Sequence, residues 1–346
     1  MKPLYVGVTG INACDNPAPG TGVARSLKEQ LDTEIEIIGL AYDAMEPGIY
    51  MDWTVDYPFL IPYPAAGHDA LLQRLLYIKE RCGLDVVIPT LDSELPFYIR
   101  YRDELAKHGI ATFLPTDAQF KLRGKDHLPE VAEQAGISAP KQATVCSYTD
   151  LNQAVESIGL PIMVKGPLYK AYIAHTQAEA MAFFGKIVAE WGYPVIAQAV
   201  VKGEEMNVIG VGDGEGNAPG LVAMKKISTT ELGKVWTGVT VLHPELLAAA
   251  RQFVAETHWQ GAFEMECMVD GDTIHLIEIN PRFPAWVYFA TGVGVNLPQM
   301  LVQRALGQTP NAANDYPAGK LFIRYTGEQI CDLERFQNMV TLGESA

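Results

Sequence analysis

Several kinds of pattern are missing from this 346-residue sequence, and each absence excludes a class of protein. No apolar run approaches the ~20 residues that a membrane-spanning helix needs. The N-terminus MKPLYVGVTG lacks the apolar core and the cleavage site of a signal peptide. The five cysteines contain no C-x-x-C pair, which argues against a zinc site or a disulfide framework. We therefore expect a cytoplasmic protein that has no membrane partner.

Positive charge is also scarce. The chain has 26 Lys and Arg against 41 Asp and Glu, a net charge of −15. Such an acidic chain is a poor candidate for general nucleic-acid binding, because a phosphate backbone is bound by clustered cations. We therefore expect no nucleic-acid partner. The serine-nucleophile motif G-x-S-x-G is absent as well.

Three carboxylates lie in a segment that the sequence predicts to be a buried hairpin. Residues 261–284, GAFEMECMVDGDTIHLIEINPRFP, consist of two apolar strands joined by a turn at 270–272, and they contain Glu264, Glu266 and Glu278. Unpaired charge is costly to bury, so a bound cation would compensate it, and hard oxygen ligands suit Mg²⁺. A solvated hairpin with ordinary surface acids is the alternative.

The length of the turn decides whether these carboxylates meet. A three-residue turn places Glu264 opposite Glu278 and leaves Glu266 diagonal to Glu278 on the same face, roughly 7–8 Å apart between backbones. A two-residue turn would put Glu266 and Glu278 on opposite faces. The strand bounds expected from the sequence, 262–269 and 273–279, correspond to the three-residue turn, which would let two carboxylates share one or two metal ions.

The pattern E-x11-E-x-N-P-R in this hairpin resembles the magnesium–triphosphate signature of the ATP-grasp superfamily, in its carbamoyl-phosphate-synthetase and biotin-carboxylase branch. The resemblance implies that the protein binds ATP and that Glu266, Glu278 and Asn280 hold Mg²⁺, with Mn²⁺ as a second candidate. By the same resemblance, catalysis is assigned to Arg282 and Lys165. The ATP-binding residues that it implies are Lys125, Lys165, Gln198, Val201, Glu205 and Lys225.

Local patterns agree with some of these assignments. Lys125 precedes a predicted helix that ends near Gly136, and a cation at the positive end of a helix dipole is unfavourable unless an anion lies nearby. Lys165 ends the apolar run 160–164. Strand alternation predicts that one of the neighbouring residues Lys225 and Lys226 faces the site and that the other does not.

The first third of the chain alternates strands and helices, which predicts a doubly wound parallel sheet over residues 1–117. Ligands of such sheets bind beyond the carboxyl ends of the strands, where the loops 10–22 and 90–94 are expected. Carboxylates in the second loop would attract an ammonium group. Candidate substrate contacts in these loops are Asn12, Asp15, Asn16, Asp92 and Glu94.

The expected fold class is therefore α/β and α+β: an N-terminal doubly wound parallel-sheet domain followed by a two-part ATP-grasp fold. The second part covers residues 118–310, with a small lid at about 142–197, and residues 311–346 form a closing segment. The loop after Lys165 departs from the family pattern, because many relatives have a glycine-rich flap there and residues 167–176, PLYKAYIAHT, contain no glycine. The residues that replace the flap include Tyr169, Lys170, Tyr172 and His175.

The resemblance implies an ATP-dependent carboxylate–amine ligase that forms an acylphosphate and releases ADP and phosphate. Its partner is expected to be a small molecule or a peptide, and Lys226 and Gly292 are further candidate substrate contacts. The choice between a free amino acid, a peptide and a carrier protein stays open, as does a homodimer. A non-catalytic or regulatory ATP-binding module and a carboxylase-type ATP-grasp enzyme are the alternative functions.

Overall fold

The computed structural model describes residues 2–14, 16–29, 34–166, 170–231 and 233–345. Within these ranges the strands form three sheets: a parallel N-terminal sheet, an antiparallel lid sheet and a larger antiparallel central sheet. None of the helices in these ranges has both the length and the apolar character needed to cross a membrane. Asp15 and Tyr169, for which site positions were predicted, lie outside the described residues.

The elements of the N-terminal sheet alternate along the chain: β1 (Leu4–Thr9), α1 (Gly20–Lys28), β2 (Ile35–Ala41), β3 (Tyr57–Leu60), α2 (His68–Cys82) and β4 (Val86–Ile88). The strand order is β3-β2-β1-β4, and the pairs are parallel. Val23 of α1 belongs to the same buried cluster as Val6 and Val8, whereas Leu75 of α2 packs with Leu40 on the other face. Both faces of the sheet are thus covered, as expected for a doubly wound sheet.

Short helices lead from this sheet to the lid: α3 (Leu95–Arg100), α4 (Arg102–Lys107), α5 (Asp117–Lys121) and α6 (Leu128–Gln134). Lys125 lies in the turn before α6, and Gly136 follows the helix with a positive φ of 70°. This backbone conformation favours glycine and ends the helix near the predicted position.

The lid sheet contains β5 (Gln142–Val145), α7 (Tyr148–Ile158), β6 (Ile162–Lys165), β7 (Ala171–Ala174), α8 (Gln177–Trp191) and β8 (Val195–Ala199). Its strand order is β5-β8-β6-β7, and its helices bury Leu151 and Phe184 against Val164. A capping box at Thr176 starts α8. Strand β6 pairs with β7 on one side and with β8 on the other, so Lys165 ends a strand that is fixed by two neighbours.

The central sheet and its helices make up the remaining elements: β9 (Glu204–Asp213), β10 (Gly220–Thr229), β11 (Val235–Thr240), α9 (Pro244–Thr257), β12 (Gln260–Asp270), β13 (Thr273–Asn280), α10 (Tyr288–Gly292), α11 (Leu297–Ala305), β14 (Leu321–Ile323) and α12 (Leu333–Leu342). The strand order is β13-β12-β9-β10-β11-β14. Phe253 of α9 packs with Phe263 and Met265 of β12 on one face of the sheet. The opposite face carries the polar residues described below.

The last part of the chain closes two sheets. β14 pairs with β11 at the edge of the central sheet, and Met339 of α12 is buried in the cluster that contains Val6 and Val8. The backbone N–H of Leu60 donates to the carbonyl of Gly343, with an N···O distance of 2.8 Å. The tail therefore links the central sheet to β3.

The hairpin β12–β13 differs from the sequence-based expectation. Asp270 pairs with Thr273, so the turn has two residues and the prediction of a three-residue turn is wrong. The pairing shifts by one residue between Cys267 and Glu266, which leaves Ile277 as a bulge. Beyond this bulge, Glu266 lies directly opposite Glu278.

Candidate active site

One face of the central sheet collects the predicted carboxylates. Glu266 pairs with Glu278 on one side and with Asn207 of β9 on the other, and Glu264 pairs with Asn280. Residues in directly opposite positions share a face of the sheet. The bulge at Ile277 thus places Glu266 directly opposite Glu278. With the expected three-residue turn, the two residues would have been diagonal neighbours.

Glu264 is the most enclosed of these carboxylates, with 3% of its surface exposed. Its Oε1 accepts hydrogen bonds from Asn207 Nδ2 and Trp286 Nε1, both at 2.7 Å, and its Oε2 accepts one from Asn280 Nδ2 at 3.0 Å. Burial, followed by the charge of Glu266, raises the pKa of Glu264 to about 7. Glu264 orients Asn280 and is itself fixed by its donors.

Glu266 is held by an amide and an ammonium group. Its Oε1 accepts from Asn280 Nδ2 at 2.9 Å, and its Oε2 accepts from Lys226 Nζ at 2.9 Å. Lys226 also forms an ion pair with Glu205, and 7% of its side chain is exposed. Burial favours the neutral amine, but Glu266 and Glu205 outweigh it and raise the pKa of Lys226 above its ordinary value. Lys226 therefore stays charged between two carboxylates.

Lys225, the residue before Lys226, does not lie on the face that carries the carboxylates. Lys225 pairs with Met206 across β9–β10, and its side chain forms an ion pair with Glu204. Met206 belongs to the buried cluster on the α9 face, so Lys225 and the polar carboxylates are on opposite faces of the sheet. The prediction that Lys225 binds ATP is corrected accordingly: the lysine that alternation directs to the site is Lys226.

Two further lysines reach Glu278 from outside the sheet. Lys125 Nζ donates to the carbonyl of Gly166 at 3.0 Å, which places it beside the end of β6. Burial lowers the pKa of Lys165 to about 8, with repulsion from Lys125 adding to the effect and attraction to Glu278 opposing it. Burial likewise raises the pKa of Glu278, against the attraction of Lys125 and Lys165. The structure brings Lys125 and Lys165, which were predicted to bind ATP, close to the predicted metal ligand Glu278.

Three further predicted ATP-binding residues lie in β8, in the link that follows it and in β9. Gln198 is 3% exposed, and its Nε2 donates to Gln142 Oε1 at 3.0 Å. Val201 lies in the short link from β8 to β9 and is partly buried, and Glu205 follows it at the start of β9. The charge of Glu205 acts on the pKa of Lys165, so the start of β9 lies near the end of β6.

Arg282 connects the hairpin to the N-terminal sheet. Its Nε donates to Asp92 Oδ2 at 3.0 Å and its Nη2 donates to Asn280 Oδ1 at 3.2 Å. Asp92 also accepts from Arg123 Nη1 at 3.0 Å. Despite burial, the charges of Asp92 and Glu264 raise the pKa of Arg282. Asp92 therefore binds two arginines, and the expectation that it attracts a substrate ammonium group is corrected on this ground.

Glu94 is also unsuited to the predicted substrate contact. It is 0% exposed and accepts hydrogen bonds from Thr9 Oγ1, from the Tyr42 hydroxyl and from the backbone N–H groups of Thr90 and Leu91. Burial raises its pKa, and these donors oppose the rise. Glu94 fixes the loop that carries Asp92, and no surface of it remains for a substrate.

Two cations near Arg282 were not selected from the sequence. Lys234 Nζ donates to the carbonyl of Pro17 at 2.8 Å, and Arg324 Nη2 donates to the carbonyl of Ala285 at 3.0 Å. Burial lowers the pKa of both, and for Lys234 the charges of Arg282 and Arg324 lower it further. In the described part of the chain, neither side chain has a carboxylate within ion-pair distance. The polar, glycine-bearing character of the segment 228–241 is the one sequence signal that could have pointed to Lys234.

Two other candidates, Asn12 and Gly292, lie outside the central hairpin. Asn12 accepts from the backbone N–H of Cys14 at 3.3 Å in the loop before α1, and Gly292 is exposed at the end of α10. A surface cleft of about 560 Å³, lined by Leu4, Ile110 and Leu306 among others, lies at the other end of the N-terminal sheet and contains none of the predicted site residues.

The donor set fits a hard divalent cation only in part. Glu266 and Glu278 supply carboxylate oxygens on facing strands, which suits Mg²⁺ bound through one or two carboxylates and substrate phosphates. Within the described residues, no group of three or more His, Cys, Asp and Glu side chains is arranged to hold a metal by itself. Asn207 Oδ1 is buried and accepts no hydrogen bond in the described part of the chain, so one acceptor at the site is unused.

Known proteins resemble this chain in sequence and in fold. Residues 194–327 match the family model described as ATP-grasp in the biosynthetic pathway with Ter operon. The chain is 23% identical over 230 residues to the carbamoyl phosphate synthase large chain of Clostridium acetobutylicum; the match covers 61% of this chain and 21% of that protein. It thus spans about a fifth of that relative.

Solved structures extend the likeness to nearly the whole chain. The biotin carboxylase domain of 2-oxoglutarate carboxylase from Hydrogenobacter thermophilus, in complex with MgADP and bicarbonate, has a TM-score of 0.69 and 17% identity, over 92% of this chain and 73% of that one. The L-amino acid ligase of Bacillus licheniformis has a TM-score of 0.63 and 18% identity, over 88% and 74%. Residues 194–327 thus match an ATP-grasp family model, and the solved structures show a similar fold over most of the chain.

Proposed function

We propose that the protein is an ATP-dependent carboxylate–amine ligase that forms an amide or peptide bond through an acylphosphate and releases ADP and phosphate. The observation that carries the proposal is the arrangement of cations around the facing carboxylates. Lys125 and Lys165 attract Glu278, while Lys234 and Arg324 form a second group of cations with Arg282. An acidic chain that concentrates cations in one cleft is suited to a polyanion and an anionic substrate.

The two groups of cations divide the expected work. Lys125 and Lys165 suit the phosphates of ATP, and Glu266 and Glu278 would hold Mg²⁺, which draws charge from the triphosphate when bound. In the described residues, the side chains of Lys234 and Arg324 donate hydrogen bonds only to backbone carbonyls. Both cations therefore suit a substrate carboxylate next to Arg282. Arg282 interacts with both the carboxylates and the second group, and it can stabilise the transferred phosphoryl group.

The reaction balances without a protein nucleophile. An oxygen of the substrate carboxylate bonds to the γ-phosphorus, and the bond from that phosphorus to the β,γ-bridging oxygen breaks, so ADP leaves with the electron pair. A neutral amine then attacks the carbonyl carbon of the acylphosphate and loses a proton, and phosphate leaves. The likeness to an L-amino acid ligase supports an amino acid or peptide as the substrate class.

The test is incubation with ATP, Mg²⁺, hydroxylamine and a panel of amino acids and peptides. ADP and a hydroxamate should form with the correct carboxylate. Release of AMP and pyrophosphate would overturn the acylphosphate mechanism, and nucleotide binding without any turnover would favour the non-catalytic module. Turnover that depends on bicarbonate and yields no hydroxamate would favour a carboxylase-type enzyme, as in the neighbour bound to bicarbonate.

Variants can test the carboxylate site directly. Lys234→Met and Arg324→Met should raise KM for the carboxylate about tenfold or more each, because a charge-assisted contact is lost, while ATP affinity stays within about twofold. Lys320→Met, on an exposed lysine just before β14, is the matched control and should leave both constants unchanged. Equal losses for carboxylate and ATP would argue against the division of the two cation groups.

A further inference from the structure

The side chain of Lys226 occupies the position between two carboxylates that the proposed nucleotide site would use. Its Nζ lies 2.9 Å from Glu266 Oε2 and pairs with Glu205 as well. Glu266 is a predicted metal ligand, and Glu205 is a predicted ATP-binding residue. The other oxygen of Glu266 accepts from Asn280 at 2.9 Å. Both oxygens of this carboxylate are therefore already bonded to donors from the protein.

The charges of the surrounding cluster are balanced without a metal ion. Counting described residues, five carboxylates are matched by five cations, and Lys234 and Arg324 near Arg282 add two further cations. The carboxylates are Asp92, Glu205, Glu264, Glu266 and Glu278, and the cations are Arg123, Lys125, Lys165, Lys226 and Arg282. A free divalent cation that entered this cluster would meet no excess negative charge, and it would have to displace Lys226 from a largely desolvated ion pair.

A nucleotide changes this balance. ATP brings several negative charges of its own, which both the lysines and a divalent cation can neutralise. With that charge present, Lys226 is no longer needed as the counter-ion of Glu266, and its ammonium group can pair with the nucleotide.

We propose that Lys226 is the counter-ion of the metal-binding carboxylate in the nucleotide-free protein, so that a divalent cation binds at Glu266 only together with a nucleotide. This inference rests on the proposed function, because it assumes that Glu266 is a metal ligand. Lys226 is then a positioning residue that makes metal binding depend on nucleotide, and this role replaces the substrate contact expected from the sequence.

The experiment measures Mn²⁺ binding by electron paramagnetic resonance, with and without the β,γ-imido analogue of ATP. The wild-type protein should bind Mn²⁺ alone weakly and bind it at least about tenfold more tightly with the analogue. Lys226→Met should bind Mn²⁺ alone at least about tenfold more tightly than the wild type does. Lys225→Met is the matched control, since it removes the same charge from the next residue on the opposite face, and its Mn²⁺ affinity without nucleotide should equal that of the wild type.

Removing Lys226 leaves Glu205 and Glu266 without their counter-ion and can weaken the fold. Lys226→Gln is the second variant, because the amide still donates hydrogen bonds to a carboxylate but carries no charge, and circular dichroism checks that each variant is folded. If the wild type binds Mn²⁺ as tightly without the analogue as with it, the proposal is overturned without any variant. Folded Lys226 variants that bind Mn²⁺ alone no better than the wild type would overturn it too. Failure of the wild type to bind Mn²⁺ even with the analogue would instead remove the proposed nucleotide site, and this proposal with it.

Discussion

Arg282 and Asp92 are joined by a hydrogen bond of 3.0 Å between Nε and Oδ2, although they are 190 positions apart in the chain. Arg282 follows the central-sheet hairpin, and Asp92 lies in the loop after β4 of the N-terminal sheet. The same carboxylate binds Arg123, just before the turn that carries Lys125. A single side chain of the N-terminal part thus orients two cations at the candidate active site.

Asp92→Asn should lower kcat/KM about 10- to 100-fold with the fold retained, because two arginines lose the charge that positions them. Steady-state kinetics and circular dichroism measure the two effects. Asp117→Asn is the control, since Asp117 forms an exposed ion pair with Lys121 on α5. Full activity of Asp92→Asn would show that Arg282 needs no partner in the N-terminal part.

Glu278→Gln should lower turnover about 100-fold or more, because a carboxylate that faces Glu266 and both phosphate lysines loses its charge. The folded state should survive, since burial already disfavours the charged form of Glu278. Glu204→Gln, on the opposite face beside Lys225, should leave turnover unchanged. Near-normal turnover of a folded Glu278→Gln protein would remove the metal assignment.

Glu264→Gln should act on stability. Its oxygens accept hydrogen bonds from Asn207, Trp286 and Asn280. In the variant, the amide nitrogen that replaces one oxygen is itself a donor, so at least one of these groups loses its acceptor. A buried donor left without an acceptor costs about 2 kcal/mol, so urea unfolding should show a loss of that size. Stability equal to that of the wild type would mean that the hydrogen bonds of Glu264 can rearrange without cost.

Lys165 should make stability depend on pH in the alkaline range. Burial lowers its pKa from 10.5 to about 8 in the folded chain, so between these values the unfolded chain holds more protons at this site. The contribution of Lys165 to the free energy of unfolding therefore rises with pH from about 8 to about 10.5, and below about pH 8 the charged lysine costs up to ~3 kcal/mol.

The corresponding variant is Lys165→Met, without nucleotide. It should be more stable than the wild type at neutral pH, and this difference should shrink as the pH rises above about 8, as measured by urea unfolding at several pH values. Lys202→Met, at an exposed lysine in the link before β9, should show no such trend. A difference that stays constant with pH would mean that Lys165 keeps an ordinary pKa in the fold.

The sequence predicted the fold class and the order of the main elements because the alternation of strands and helices and the E-x11-E-x-N-P-R pattern are local properties. It did not predict the register of β12–β13, since a turn of two residues and a bulge at Ile277 together produce a pairing that neither turn length gives alone. Arg324 was missed because its neighbours at the site, Arg282 and Lys234, are 42 and 90 positions away along the chain. Glu94 was misjudged because the four donors around it come from three separate segments.

Trp286 is 2% exposed, and its indole N–H donates to Glu264, whose second oxygen binds Asn280 beside the predicted metal carboxylates. The fluorescence of an indole depends on the charges near it, and here one of those charges belongs to the site itself. The protein thus contains its own optical reporter, and the emission that Trp286→Phe removes is the part to follow when nucleotide or metal is added. Binding of nucleotide or metal at the site can then be followed by the emission of Trp286 in dilute solution, without an attached dye and without turnover.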